Sequence, residues 1–250
     1  MSHRYLTALP VYNEAKHVGP VLAEVRRYSD NILVVNDGST DGTAELLAAE
    51  PGIHLVTHAK NRGYGAALRS AFDFAVQNNY DVLVTIDCDG QHQPRMIPQF
   101  FAECSDWDIV SGSRYLAPLT GESQPPADRR RINELLTARI NELLGLQLTD
   151  AFCGFKAYRV CRLPELDITD DGYAMPLELW VQAAHQGFRV KELAVPLIYL
   201  DLARSFGGAL DDADTRLAHY NTILQRAMAR TAEPRATTPH ARSLCNERAG

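Results

Sequence analysis

No stretch of this 250-residue chain is apolar for long enough to cross a bilayer. Apolar runs such as Leu193 to Leu200 fall far short of the roughly 20 residues that a spanning helix needs. Met1 to Tyr5 lacks the apolar centre of a signal peptide, so neither export nor membrane insertion is expected. Cysteine is sparse and irregular: Cys88, Cys104, Cys153, Cys161 and Cys245 are odd in number, widely spaced and contain no Cys-x-x-Cys pair. That pattern fits a reducing compartment better than a disulfide framework, and the chain reads as cytoplasmic, with peripheral contact at the inner membrane face left open. An excess of positive charge is also missing. The net charge of -6 argues against a general nucleic-acid binder, so any anionic ligand must be held by local basic clusters. No internal repeat stands out.

What is present is enough apolar content, 46%, for a substantial core, and an alternation of short β-branched runs with amphipathic stretches. Strands are expected at residues 5–10, 31–35, 53–57, 81–86 and 108–111. Helices are expected between them, through about Tyr28 and over 43–49, 66–77 and 95–104. Such alternation predicts an α/β domain with a mostly parallel, doubly wound central sheet flanked by helices. Beyond residue 111 come a Pro- and Gly-rich stretch over 116–127, read as a mobile lid, and a helix over 128–144 that opens on Arg129, Arg130 and Arg131. A loop and strand over 150–159, a helix over 173–186, a strand over 188–198 and a last helix over 212–229 complete the pattern. One domain over residues 1–230 is expected, followed by an aperiodic tail over 231–250 read as disordered.

The chain is organised around Val82 to Pro94, where an apolar run breaks into Asp87, Cys88, Asp89, Gly90 and Gln91. A buried parallel strand delivers such residues to its carboxyl end, which is where open α/β sheets bind ligands. While the backbone stays extended, Asp87 and Asp89 aim at one point and Cys88 turns to the core. Two carboxylates suit Mg²⁺ or Mn²⁺ on a diphosphate. By itself the pair also fits a simpler role, with Asp89 capping the helix that Pro94 opens. Glu14 and Asp37 follow earlier strands at the same edge, although Asp37, Ser39 and Asp41 equally suit plain turn formation. Lys60 and Arg62, beside a helix amino end, favour an anion there, and the Arg129 cluster offers a second such place.

Pro10 to Glu14, Asn36 to Thr43, Asn61 to Ala67, Asp87 to Pro94, Gly112 to Tyr115, Arg129 with Asn133, and Asp150 with Cys153 to Arg159 together resemble the inverting glycosyltransferases of family 2. Those enzymes have a Rossmann-like GT-A fold, and within them the resemblance is strongest to polyprenyl-phosphate sugar synthases. It covers residues 5 to about 200. It implies that Pro10, Tyr12, Glu14, Asp37 and Gly65 form the nucleoside pocket for a GDP- or UDP-sugar, with Asp87 contributing. Asp87, Asp89 and Gln91 would hold Mg²⁺ or Mn²⁺. Arg114, Arg129 and Arg204 would face the phosphate of a polyprenyl phosphate acceptor at the membrane surface, and Asp89 and Asp150 would complete the catalytic set. Asn36 stands where relatives carry an acid, and 203–210 departs from their last acceptor loop. Two alternatives stay open, transfer to a soluble hydroxyl acceptor and a nucleotide-sugar-binding protein without turnover.

Overall fold

The computed structural model describes residues 3–117, 126–198 and 208–232. Arg204, the centre of the expected lid and the expected tail beyond residue 232 lie outside the described residues. Seven strands form one sheet: β1 (Tyr5–Val11), β2 (Ile32–Asn36), β3 (His54–Thr57), β4 (Val82–Thr85), β5 (Ile109–Ser113), β6 (Lys156–Arg159) and β7 (Val190–Ala194). Their spatial order is β3-β2-β1-β4-β6-β5-β7. The helices are α1 (Val18–Val25), α2 (Thr43–Ala49), α3 (Tyr64–Gln77), α4 (Ile97–Glu103), α5 (Ala127–Leu144), α6 (Met175–His185) and α7 (Ala213–Ala232).

The pairs β1·β2, β1·β4, β2·β3 and β5·β7 are parallel, as helical crossovers require. β6 is the exception, running antiparallel between β4 and β5, with Thr85 opposite Lys156 and Ser111 opposite Lys156 on the other side. Because β6 runs backwards, its first residue lies at the edge where the other strands end. The segment from Asp150 to Phe155 is thereby delivered to the ligand edge of the sheet.

Alternation along the strands divides the core between the two faces. Leu6, Ala8, Leu33 and Val35 pack with α3, α5 and α6, while Leu9, Val11, Ile32 and Val34 pack with α1 and Phe100 of α4. Trp180 of α6 is fully buried, and its indole N–H donates to the Ala151 carbonyl at 2.9 Å, so the core itself fixes the approach to β6. Full burial of one such side chain is worth about 1.5–3 kcal/mol or more. Among the described residues no helix is long and apolar enough to cross a membrane. Cys88, Cys104 and Cys153 are buried and stand outside any disulfide.

Candidate active site

The loops after β1 and β2 are stitched into one wall. Asn13 adopts a left-handed φ of 56°, its N–H donates to Ser39 Oγ at 3.0 Å and its side-chain oxygen accepts from Thr40 N–H at 2.8 Å. Glu14 N–H donates to Thr43 Oγ1 and Ala15 N–H to Asp41 Oδ2, at 3.0 and 3.1 Å. Asp41 thus does the turn work expected of it. Asp37 is buried and anchors the loop before α3: it accepts from Arg62 N–H at 2.9 Å and Gly63 N–H at 2.7 Å, and meets His58 Nδ1 at 2.5 Å.

Above this wall lies a cavity of about 560 Å³ whose lining includes Pro10, Tyr12, Glu14, Asp37, Tyr64, Asp87 and Asp89. Gly65 lies behind it, where an added Cβ would come within 2.2 Å of the Asp170 carbonyl. Its lack of a side chain lets α3 dock against the segment before α6. Glu178, buried in the first turn of α6, holds that segment by accepting from Thr169 N–H at 2.6 Å and Asp170 N–H at 2.8 Å. Lys60 and Arg62 are exposed and do not line the cavity. No lysine or arginine is found among the described residues that do.

Asp87 and Asp89 belong to the wall of this cavity and of a second one, about 180 Å³, on its far side. Cys88 between them is buried in the core, as the period of an extended chain demands. Asp89 Oδ1 accepts from Gln91 N–H at 2.9 Å across a turn at Gly90, whose φ is 75°. It does not cap the helix opened by Pro94, whose N-cap is Gln93 with no side-chain bond. Asp87 receives the Tyr64 hydroxyl on Oδ1 at 3.1 Å and faces His92 Nε2 from Oδ2 at 3.4 Å. Its carboxylate lies so close over Gly154 that a Cβ there would be 2.2 Å from Oδ2.

The smaller cavity carries the positive charge. Arg114, Arg129 and Arg216 line it, with Gln91, His92 and Asn133. Arg130 instead pairs with Glu134 on the surface at 2.7 Å, and Arg131 is exposed. Arg216, from α7, is buried and tied to Asp128 Oδ2 at 2.6 Å and to the Leu210 carbonyl at 2.7 Å. Sequence reading passed over Arg216 because a lone arginine in an amphipathic helix carries no signal.

Asp150 is fully buried and occupied. Arg114 donates to it through Nε at 2.6 Å and Nη2 at 2.9 Å, and Asn133 Nδ2 adds a bond of 2.7 Å. Its own N–H and that of Thr149 donate to Glu192 at 3.0 and 2.8 Å, which fixes the loop. Burial alone would raise the Asp150 pKa, but the Arg114 charge and the hydrogen bonds from Arg114 and Asn133 outweigh it and hold the carboxyl well below the ordinary 3.8.

The site is a crevice at the carboxyl edge of the sheet, with two carboxylates shared by two chambers, on an α/β sheet with one reversed strand. The comparisons with known proteins are specific: the model for glycosyl transferase family 2 matches residues 7–162, and the chain belongs to that family. It is 33% identical over 221 residues to an undecaprenyl-phosphate mannosyltransferase of Micrococcus luteus, covering 84% of this chain and 90% of that one. It is 31% identical over 236 residues to a polyprenol monophosphomannose synthase of Mycolicibacterium smegmatis, covering 88% and 87%. Among solved structures it superposes on glucosyl-3-phosphoglycerate synthase from Mycobacterium tuberculosis with a TM-score of 0.66 at 18% identity, covering 94% of this chain and 82% of that one. That last likeness speaks for the fold alone. The protein is a glycosyltransferase.

Proposed function

We propose that this glycosyltransferase moves a hexose, with inversion, from a GDP- or UDP-sugar to a polyprenyl phosphate at a membrane surface. The observation that carries the reading is the segregation of charge between the two chambers. The larger is lined by Glu14, Asp37, Asp87 and Asp89 with no basic side chain among its described lining residues, and the smaller shares Asp87 and Asp89 with it and adds Arg114, Arg129 and Arg216. Pro10, Tyr12, Glu14 and Asp37 bind the nucleoside in the larger chamber, and the acceptor phosphate enters the smaller. The relatives named for undecaprenyl phosphate and polyprenol support the same acceptor class.

A diphosphate cannot sit beside four carboxylates unless a cation intervenes. On this reading Asp87, Asp89 and the Gln91 amide, which all line the smaller chamber, would supply the oxygen donors that Mg²⁺ or Mn²⁺ takes. Such an ion, when bound, neutralises the charge that builds on the departing nucleoside diphosphate. The chain's own residues do the rest. Arg129 and Arg216 attract the acceptor phosphate, and Asp150 positions Arg114 at the chamber wall.

Acid–base chemistry favours the phosphate acceptor over a hydroxyl. A phosphate monoester has a second pKa near 6 and is already a nucleophile at neutral pH, whereas a hydroxyl needs a base that typically contributes about 10² to 10⁴ in rate. Asp150, with its oxygens taken by Arg114 and Asn133 and its pKa depressed, is a poor base. The test is a donor panel with Mg²⁺ or Mn²⁺, scoring nucleoside diphosphate release with and without polyprenyl phosphate. Release stimulated equally by a soluble sugar acceptor, and not by the lipid phosphate, would move the reading to the hydroxyl class.

A further inference from the structure

The carboxylate of Asp87 is held from three directions by three separate parts of the chain. Tyr64, the first residue of α3, donates its hydroxyl to Oδ1 at 3.1 Å from the larger chamber. His92 meets Oδ2 through Nε2 at 3.4 Å from the smaller chamber. Beneath the carboxylate, Gly154 leaves a cradle that any Cβ would fill.

His92 itself calls for an explanation. Its side chain is only 6% exposed, its ring lies 5.4 Å from Phe155, and Nδ1 is buried without a hydrogen-bond partner among the described residues. A carboxylate oxygen offers lone pairs alone, so the tautomer that suits the contact carries its hydrogen on Nε2 and leaves Nδ1 a bare acceptor. A buried polar atom left unpaired costs about 1–3 kcal/mol. An apolar ring in the same place beside Phe155 would avoid that cost. The geometry therefore assigns the imidazole a purpose on its other nitrogen.

We infer that His92 and Tyr64 are positioning residues that clamp the Asp87 carboxylate over Gly154 in the orientation that receives the divalent cation. The inference rests on the metal reading above and extends it to groups that do not themselves ligate. Fixing each carboxylate oxygen with a donor prevents the side chain from rotating away between turnovers. Because one donor stands in each chamber, both walls of the site hold the same ligand.

The experiment is Mn²⁺ binding to the full chain in the presence of GDP or UDP, read by the electron paramagnetic resonance of free Mn²⁺, with thermal melting alongside. His92→Ala and Tyr64→Phe are each expected to weaken Mn²⁺ about 10- to 100-fold. Nucleotide binding in chelator, whatever its strength in the parent, should not change. His92→Gln, which keeps an N–H donor, should recover part of the loss. Unchanged Mn²⁺ affinity in Tyr64→Phe and His92→Ala would overturn the inference. So would a His92→Gln variant as impaired as His92→Ala with the same fall in melting temperature, since that marks a packing role. A parent protein that binds no Mn²⁺ with either nucleotide would bring down the metal reading and the clamp together, a pattern distinct from failure in the variants alone.

Discussion

Gly154→Ala is the smallest change that perturbs the site through geometry alone. The added Cβ would stand 2.2 Å from Asp87 Oδ2 and 2.6 Å from Cγ and Oδ1, where ordinary contact begins at 3.4 Å. Either the backbone at residue 154 or the Asp87 carboxylate must therefore retreat by roughly 1.2 Å. The backbone is pinned, because the Gly154 carbonyl accepts from Thr85 Oγ1 at 2.9 Å and the next residue, Phe155, is fully buried and stacked 4.1 Å from Phe100. Asp87 borders open cavity and is 28% exposed, so the carboxylate is the part that moves.

The two ways of yielding have separate signatures. A shift of about 1 Å in a positioned group costs about 10² in rate, and a yielding backbone costs about 1–3 kcal/mol of stability as overpacking. Gly154→Ala is thus expected to lower kcat/KM about 100-fold and to weaken Mn²⁺ in the presence of nucleotide, with a small change in melting temperature. Transfer assays at saturating and limiting Mn²⁺, beside calorimetric melts, measure both. A variant that melts like the parent and matches its transfer and Mn²⁺ affinity would refute the reasoning, since it would mean that the cradle has slack.

Three further outcomes follow from the same geometry. Asp89→Ala should abolish metal-dependent nucleotide binding and leave melting nearly unchanged, because the carboxylate stands beyond the end of β4 at the wall of two cavities and adds little to the core; the wild type with chelator should behave likewise in a nucleotide titration. Asp150→Asn strips a buried partner from Arg114 and should cost about 3–5 kcal/mol in melts. With its pKa held below 3.8, Asp150 contributes its full stabilisation above that value and loses it only as pH falls through the lower folded one, so the deficit of the variant should be flat above about pH 4 and shrink in acid. Burial pushes the Cys104 thiol up to about 12 and that of Cys153 up to about 11, so both should resist iodoacetamide at pH 8 until the protein is unfolded, as read by mass spectrometry.

Local patterns made much of this legible before any coordinates. The helix expected at 43–49 is found at Thr43–Ala49, and the five strands of the first half all appear: β1, β2, β4 and β5 are largely buried, which favours their apolar runs, while β3 is a mostly exposed edge strand. Helix α1 stops at Val25, short of Tyr28, where the chain tightens into a turn from Tyr28 N–H to the Val25 carbonyl. β7 ends at Ala194, two residues before Pro196, which has no N–H for a ladder. The reversed direction of β6 was not legible, because it is decided by pairing Lys156 with Thr85, 71 residues away. The same holds for the contacts of Asp150 with Arg114 and Asn133, which join segments far apart in the chain. Gly154 could be read as meaningful only once Asp87 was known to lie against it.

The placement of charge also bears on why an enzyme for anionic ligands is built on acids. At an effective dielectric of about 20, two like charges 4 Å apart repel by about 4 kcal/mol, so on the proposed reading a chamber lined by Glu14, Asp87 and Asp89 disfavours a diphosphate that arrives alone. Arginines could have lined it instead, as they line its neighbour. An arginine wall, however, would hold the diphosphate as firmly after transfer as before, and would add no acceptance that depends on a third component. Asp37 is already committed to the backbone of Arg62 and Gly63, which leaves Asp87 and Asp89 as the pair facing both chambers. On the proposed reading, donor entry then requires the cation, acceptor entry requires only the arginines, and the two phosphates meet on either side of one shared, clamped carboxylate.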